Sequence, residues 1–482
     1  MKKIILILSL IIGFSGISFG SHIPGGTITY QCTGTPNQYI ISMTMFVKCP
    51  TTLGTTQNFG FTISNTCGLV NPAMPAMTLV STGQVDVTQT CATQTSNCPP
   101  NTGGVQGVLM YKYEGIITFP AACNSWSICF DLCCRDQSSN MNGGQGNSLG
   151  MCTTINSVTQ PCGGSPVTTG SPIPFVCNGQ NVTYCLGATD PDGDSLYYSM
   201  VAPLNGTTPM TTMPPYTIQS PLTGFVLNQQ TGCMTFNQPT IGNFVVAILI
   251  SSYDANGNLT GTVVHDYQII VTACSNTPPI PPLGGVVIQP GGGAFSTGPN
   301  SIEICEGASA CFDMTFSDVN AANILTLDPN TTNVAANLPG AVVTTTGTNP
   351  ITVTVCWTVP PGAPSQINVT VSVLDGACPI QGSASQPLII NVIGSTVAPP
   401  DTTICGTQTA QLSANGGSVF NWLAIAGPPI VVGTNFSCNP CANPIASPTV
   451  TTTYEVTSNL TGGCNNKDTV TVFVVPDFNS NV

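Results

Sequence analysis

Two stretches of the chain are imperfect copies of one another. Val176–Met200 reads VCNGQNVTYCLGATDPDGDSLYYSM, and Ile304–Leu327 reads ICEGASACFDMTFSDVNAANILTL. Each opens with Cys-x-Gly (Cys177 to Gly179; Cys305 to Gly307) and meets a second cysteine soon after (Cys185; Cys311). Each then reaches an Asp-led loop at Asp190 or Asp318. Downstream, Cys233-Met-Thr-Phe matches Cys356-Trp-Thr-Val, and Tyr253-Asp254 and Leu374-Asp375 close alternating runs at similar distances. Repetition of short alternating segments at this length implies a β-domain duplicated in tandem, each copy crosslinked by its own cysteines.

Charge narrows the class further. Only 6 Lys+Arg and 19 Asp+Glu occur among 482 residues, for a net charge of −13. Nucleic-acid binding requires a basic face to displace counterions, so that partner is excluded. Gly, Pro, Thr, Ser and Asn abound between Val/Ile/Thr runs, the pattern of an all-β chain with frequent turns. The expected fold is a series of tandem Ig-like or cadherin-like β-sandwiches. Its expected parts are an N-terminal disulfide-rich β domain over 21–174, a sandwich over 175–274 and a Pro/Gly linker over 275–300. A second sandwich over 301–395 and an Ig/PKD-like sandwich over 396–482 complete the series. No convincing amphipathic helix is found.

Residues 1–20 read as a secretory leader. Lys2-Lys3 form the basic start, Ile4 to Ile12 the apolar stretch, and Ser18-Phe19-Gly20 a small-x-small cleavage site. An uncleaved anchor would need a longer apolar run, and no later segment is long enough to span a bilayer. In an exported chain, 23 cysteines imply disulfides before metals or nucleophiles. The repeat suggests Cys185–Cys233, Cys311–Cys356, Cys177–Cys274 and Cys305–Cys378. Cys438-x-x-Cys441 is expected as a small-loop disulfide, and Cys405 and Cys464 are the other candidates in the last section. The odd total leaves one thiol over, expected near Cys133-Cys134.

Several segments carry a family resemblance. Ser21-His-Ile-Pro-Gly-Gly-Thr-Ile-Thr-Tyr-Gln-Cys32, Tyr113-Glu-Gly-Ile-Ile-Thr-Phe-Pro120, Leu132-Cys-Cys-Arg135, Asp190-Pro-Asp-Gly-Asp-Ser-Leu196 and Gly261-Thr-Val-Val-His-Asp266 resemble secreted Bacteroidetes surface proteins. These are often labelled gliding-motility-associated or PKD-domain proteins. The resemblance covers about Ser21 to Cys274 specifically and is weaker over the third section. It implies an exported multi-module protein of the cell surface, adhesive in many relatives. Such relatives commonly end in a C-terminal sorting domain, whereas this sequence stops at Val482, right after the fourth module.

Asp190, Asp192 and Asp194 place three carboxylates on one tight loop, a pattern that suits calcium, with Asp254 and Asp266 as candidates to complete the shell. The same Asp-Pro-Asp-Gly is also a good turn. The corresponding copy, Asp318, Asn320 and Ala322, is expected to be empty. Histidines number two, His22 and His265, which leaves little for nucleophilic schemes. His265 and Asp266 are neighbours whose side chains point to opposite faces of a strand. Carboxylate pairs for glycoside cleavage would have to use Glu114, Glu303, Glu306 or Glu455. Trp126, Trp357 and Trp422 read as core. The function expected is a non-catalytic secreted or cell-surface adhesin or structural protein with an extracellular protein or polysaccharide ligand. A polysaccharide-binding accessory, marked by exposed coplanar aromatics, and a secreted hydrolase are the alternatives.

Overall fold

Period-two alternation builds the core. In the strand Ser309–Phe316, the side chains of Ala310, Phe312, Met314 and Phe316 are buried, while the residues between them face outward. Successive side chains on a strand leave on opposite faces, so this pattern commits one face to a core. The structure, a computed structural model, describes residues 22–476, apart from 58, 92, 144–145, 169–173, 255, 283, 330, 365, 417–418, 460–463 and 465. The leader at 1–20 lies outside these residues.

The protein is all-β and disulfide-rich; one four-residue helix, Val334–Asn337, occurs among the described residues. Its largest assembly is a 14-stranded sheet. This sheet crosses the boundary expected at 174/175. The strand Leu259–Thr272 of the second section pairs with Gly25–Cys32 and Ser148–Ile155 of the first. Gly25 and Gly26 permit that junction. A Cβ on Gly25 would lie 2.2 Å from the Asp266 carbonyl oxygen, and one on Gly26 2.6 Å from that of Thr44. Two cores flank the assembly. One gathers Ile28, Tyr39, Met43, Tyr111, Trp126 and Phe130, and the other Tyr184, Tyr198, Phe236, Phe244, Ile248 and Tyr267. Phe46 and Val108 of the first section belong to the second core, so the two sections share a hydrophobic interior.

The third section is a sandwich. A four-stranded and a five-stranded sheet enclose one core that includes Phe312, Met314, Val353, Val371, Leu388 and Ile390. The expected linker 275–300 is largely part of it: Val287–Ile288 and Ala294–Gly298 are edge strands of its two sheets. A stretch rich in Pro and Gly can pair on one side only, which suits an edge. In the fourth section, the strands Thr402–Cys405, Phe420–Ala426, Thr452–Ser458 and Lys467–Val475 form one sheet. Ala410–Gln411 and Ile445–Ala446 form a second, small sheet. Trp422, Phe436, Tyr454 and Val470 lie in the core of this section.

Twenty-two of the 23 cysteines form eleven bridges. Cys177–Cys274, Cys185–Cys233, Cys311–Cys356 and Cys438–Cys441 are among them. Three expectations are corrected. Cys305 bonds to Cys464 of the fourth section, and Cys378 bonds to Cys91 of the first. Cys405 is the unpaired, exposed thiol, whereas Cys133 and Cys134 bond to each other. Register explains the first two corrections. Cys177 lies opposite Thr272, and its partner Cys274 follows two residues later. Cys305 lies opposite Ile393, so the equivalent place is Ser395, not Cys378. Cys378 stands instead in the turn between Gln366–Leu374 and Ser383–Ile393, beside the Thr90–Ile380 bridge. Both long-range bridges therefore fasten one section to another.

Candidate functional site

Two of the segments that carry the resemblance meet in the interior. Arg135, from Leu132-Cys-Cys-Arg135, donates from Nη1 to Asp266 Oδ1 at 2.6 Å and from Nη2 to Oδ2 at 2.7 Å. Nη2 also reaches the Leu204 carbonyl at 3.4 Å. The two side chains are 2% and 0% exposed. Burial pushes the Asp266 carboxyl up, and the guanidinium opposes that rise. Asp266 is therefore the acid of a buried bidentate pair that pins the first section to the second, not a calcium ligand.

The aspartate loop is a turn with pinned side chains. The Gly193 amide donates to the Asp190 carbonyl at 3.2 Å, with Gly193 at φ +80°, and the Asp192 amide donates to Asp190 Oδ1 at 2.9 Å. The Oδ2 of each carboxylate turns to a separate partner. Ser252 Oγ donates to Asp190 at 2.8 Å, the Gly164 amide to Asp192 at 2.6 Å and Thr260 Oγ1 to Asp194 at 2.6 Å. Asp254 is half-buried and holds its own hairpin, accepting from the Asn256 and Asn258 amides at 2.9 and 2.8 Å. Among the described residues, no group of three acidic, histidine or cysteine side chains converges as a metal-holding set. In the copy, Asp318 Oδ1 accepts from the Asn320 amide at 2.7 Å and Oδ2 from Asn323 at 3.1 Å.

Desolvation is the main reason why the Asp190 carboxyl rises to about 6, against partial relief from Ser252 and the Asp192 amide. The fold thus favours the neutral acid. The stability this contributes is complete below the ordinary value of 3.8 and is lost as pH rises through about 6. Asp190→Asn removes the charge, so it is expected to stabilise the protein by about 2 kcal/mol at pH 7.5 and by little at pH 4. Thermal unfolding at the two pH values reads the difference.

A cleft of ≈ 650 Å³ opens on the large sheet. Its floor is a sheet face. His265 lies opposite Thr27, Thr27 opposite Thr44, and Thr44 opposite Lys112, so four polar side chains form one row across four strands. Directly opposed residues project to the same face. The alternation that buries Ile28 and Tyr30, or Met43 and Met45, in the core turns Thr27, Thr29 and Thr44 toward the cleft. One wall is Val85–Thr90 with Val167 and Thr168; Asp328, Thr331, Leu374 and Gln381 of the third section supply the other. The Cys91–Cys378 bridge follows directly from that first wall and ties it to the third section.

His265 is buried among these groups and neutral at pH 7, because desolvation lowers its pKa to about 4. Its Nδ1 is buried without a hydrogen-bond partner. Thr27 Oγ1 donates to the Val264 carbonyl at 3.1 Å, whereas the hydroxyls of Thr29 and Thr44 engage no described residue. The row was not legible in the sequence, since only the sheet register brings His265 beside Thr27, Thr44 and Lys112. The alternating Thr27-x-Thr29 and Ser42-x-Thr44 were the only local signals.

The remaining candidates are accounted for. His22 Nδ1 lies 3.4 Å from Asp136 Oδ1, an acid that also pairs with Lys48. Glu114 pairs with Lys112 and Glu455 with Lys467, each at 2.8 Å. The Glu306 carboxylate accepts from the Gly362 amide at 2.6 Å, and Glu303 lies on the strand Ser301–Cys305. Trp126, Trp357 and Trp422 are buried at 0%, 3% and 3% exposure and present no sugar platform.

No protein-family profile and no curated protein matches the sequence. Among solved structures, a three-Ig variant fragment of titin is 11% identical, covers 65% of this chain and 98% of its own, and superposes with a TM-score of 0.28. The N-terminal eight Ig domains of the Down Syndrome Cell Adhesion Molecule are 10% identical over 94% of this chain and 49% of theirs, with a TM-score of 0.24. The insect immune protein hemolin is 10% identical over 94% of this chain and 100% of its own, also with a TM-score of 0.24. Superpositions at these scores bear on neither the domain type nor the function.

Proposed function

We propose that the protein is an exported, non-catalytic recognition protein that holds a ligand in the cleft between its first and third sections. The observation that carries this reading is covalent. Cys91–Cys378 fastens the walls of the cleft across 287 residues of sequence, and Cys305–Cys464 fastens the fourth section to the third. Rigid, crosslinked β-units that converge on one cleft suit binding, because pre-organisation removes the ordering cost that a mobile array would incur. Eleven bridges suit an oxidising, extracellular setting. No helix among the described residues is long and apolar enough to cross a membrane.

Catalysis is disfavoured by the chemistry of the cleft. Its histidine is desolvated and neutral, and Asp86 is occupied by Thr88 Oγ1 at 2.6 Å and by Ser96. Calcium enters as a separate proposal at Asp190, Asp192 and Asp194. The Oδ2 of each already accepts a hydrogen bond from Ser252, Gly164 or Thr260, and calorimetry at millimolar calcium tests whether the loop also takes the ion.

The test of function is retention without turnover. Immobilised full-length protein is challenged with an array of extracellular glycans and matrix proteins, and both bound material and reaction products are measured. Retention of an array member, unchanged in mass, that is lost in Cys91→Ser/Cys378→Ser is expected. Conversion of a retained member to product would overturn the reading.

A further inference from the structure

We infer that the cleft takes a neutral, hydroxyl-rich ligand, a short oligosaccharide segment, laid across the row His265, Thr27, Thr44 and Lys112. This assignment rests on the recognition reading above and narrows it to one chemical class. The volume of ≈ 650 Å³ falls within the roughly 300–1,000 Å³ of small-ligand sites, and sites of this kind favour interfaces between domains.

The other ligand classes fail on what the cleft presents. An anionic ligand needs a free cation. Every described lysine and arginine is already in an ion pair: Lys48 with Asp136, Lys112 with Glu114, Arg135 with Asp266 and Lys467 with Glu455. A cationic ligand would meet Asp86 and Asp328, whose carboxylates are already held by neutral donors: Asp86 by the Thr88 amide, Thr88 Oγ1 and Ser96, and Asp328 by Thr331 Oγ1 at 2.7 Å; the charged probe below tests that class directly. An extended peptide gains its affinity by adding a strand to an open sheet edge. The floor offers no such edge, because Gly25–Cys32, Gln38–Lys48 and Val108–Thr118 each pair with a neighbour on both sides.

What the floor does offer is hydroxyl chemistry. The hydroxyls of Thr29 and Thr44 both donate and accept, and neither is used within the described chain. The buried, unpartnered Nδ1 of His265 is an independent mark of the same site. A buried polar atom without a partner is uncommon and costly. Met110 and Val87, both only partly buried, supply the apolar contacts that the ring faces of a sugar require. No stacked aromatic pair lines the cleft, which favours a few residues held in a groove over a flat polymer surface.

The experiment is calorimetric titration of the full-length protein with neutral hexasaccharides of glucose, mannose, xylose and N-acetylglucosamine. Hexagalacturonate and octalysine serve as charged probes. Binding of at least one neutral oligomer is expected, weakened at least tenfold by Thr29→Val and by Thr44→Val while Tm is unchanged. Both positions are only partly buried and neither hydroxyl holds a hydrogen bond within the described chain, so folding is retained. As a check independent of these threonines, Val87→Trp is expected to abolish binding by filling the cleft. Binding confined to the charged probes, or neutral binding indifferent to all three substitutions, would overturn the assignment. Retention on the array without any sugar binding would overturn the ligand class and leave the recognition reading standing.

Discussion

Arg135→Ala is expected to lower the unfolding free energy by about 3–5 kcal/mol, enough to consume much of the stability of an ordinary domain. The reason is the charge left behind. Asp266 is fully buried, and without the guanidinium its carboxylate faces apolar surroundings with neither of its charged hydrogen bonds. Asp266→Ala is expected to cost as much, because Arg135 is equally buried and its Nε already lacks a partner. The double variant Arg135→Met/Asp266→Leu separates a lost pair from a stranded charge. Replacing both ions with apolar groups of similar volume is expected to restore most of the loss. Chemical denaturation of the four proteins measures these differences. A double variant as unstable as either single one would show that the pair contributes attraction beyond charge compensation.

Cys91→Ser/Cys378→Ser is expected to cost about 2–4 kcal/mol and to release the third section from the first. The bridge spans 287 residues, but Cys177–Cys274 and Cys185–Cys233 already close loops within that span, so the constraint on the unfolded chain falls below that of an open loop of this length. The larger consequence is geometric. Asp328, Thr331, Leu374 and Gln381 form the far wall of the cleft, and the bridge holds it against Val85–Thr90. Denaturation midpoints read the first effect. Small-angle scattering reads the second, as an increase in the radius of gyration of the variant. An unchanged radius would mean that noncovalent contacts, such as Asn333 Nδ2 to the Gly187 carbonyl at 3.2 Å, suffice to hold the sections together.

The sequence disclosed the β-architecture because its signals are local. Alternation in Ser309–Phe316 and the turn chemistry of Asp190-Pro-Asp-Gly193 act within a few residues and can be read directly. Cys185 and Cys233, like Cys311 and Cys356, stand opposite one another on adjacent strands, so a duplicated strand pair carries the same bridge twice. Section-to-section relations are different. Cys305 and Cys378 occupy places in the third section that resemble those of the second, yet their partners come from the fourth and the first. No internal repeat contains that information. Asp266 likewise looked like a metal ligand, because the arginine that neutralises it lies 131 residues away. The cleft was hidden for the same reason: its row joins residues that only the sheet register brings together.

Disulfides fasten section to section, and peptide mapping of the non-reduced protein tests this most directly. Proteolysis under conditions that block thiol exchange, followed by mass spectrometry, should recover crosslinked peptides joining Cys91 to Cys378 and Cys305 to Cys464, with Cys405 alkylated as a free thiol. A peptide joining Cys305 to Cys378, or Cys405 to Cys464, would contradict the account and return the protein to four separately crosslinked domains.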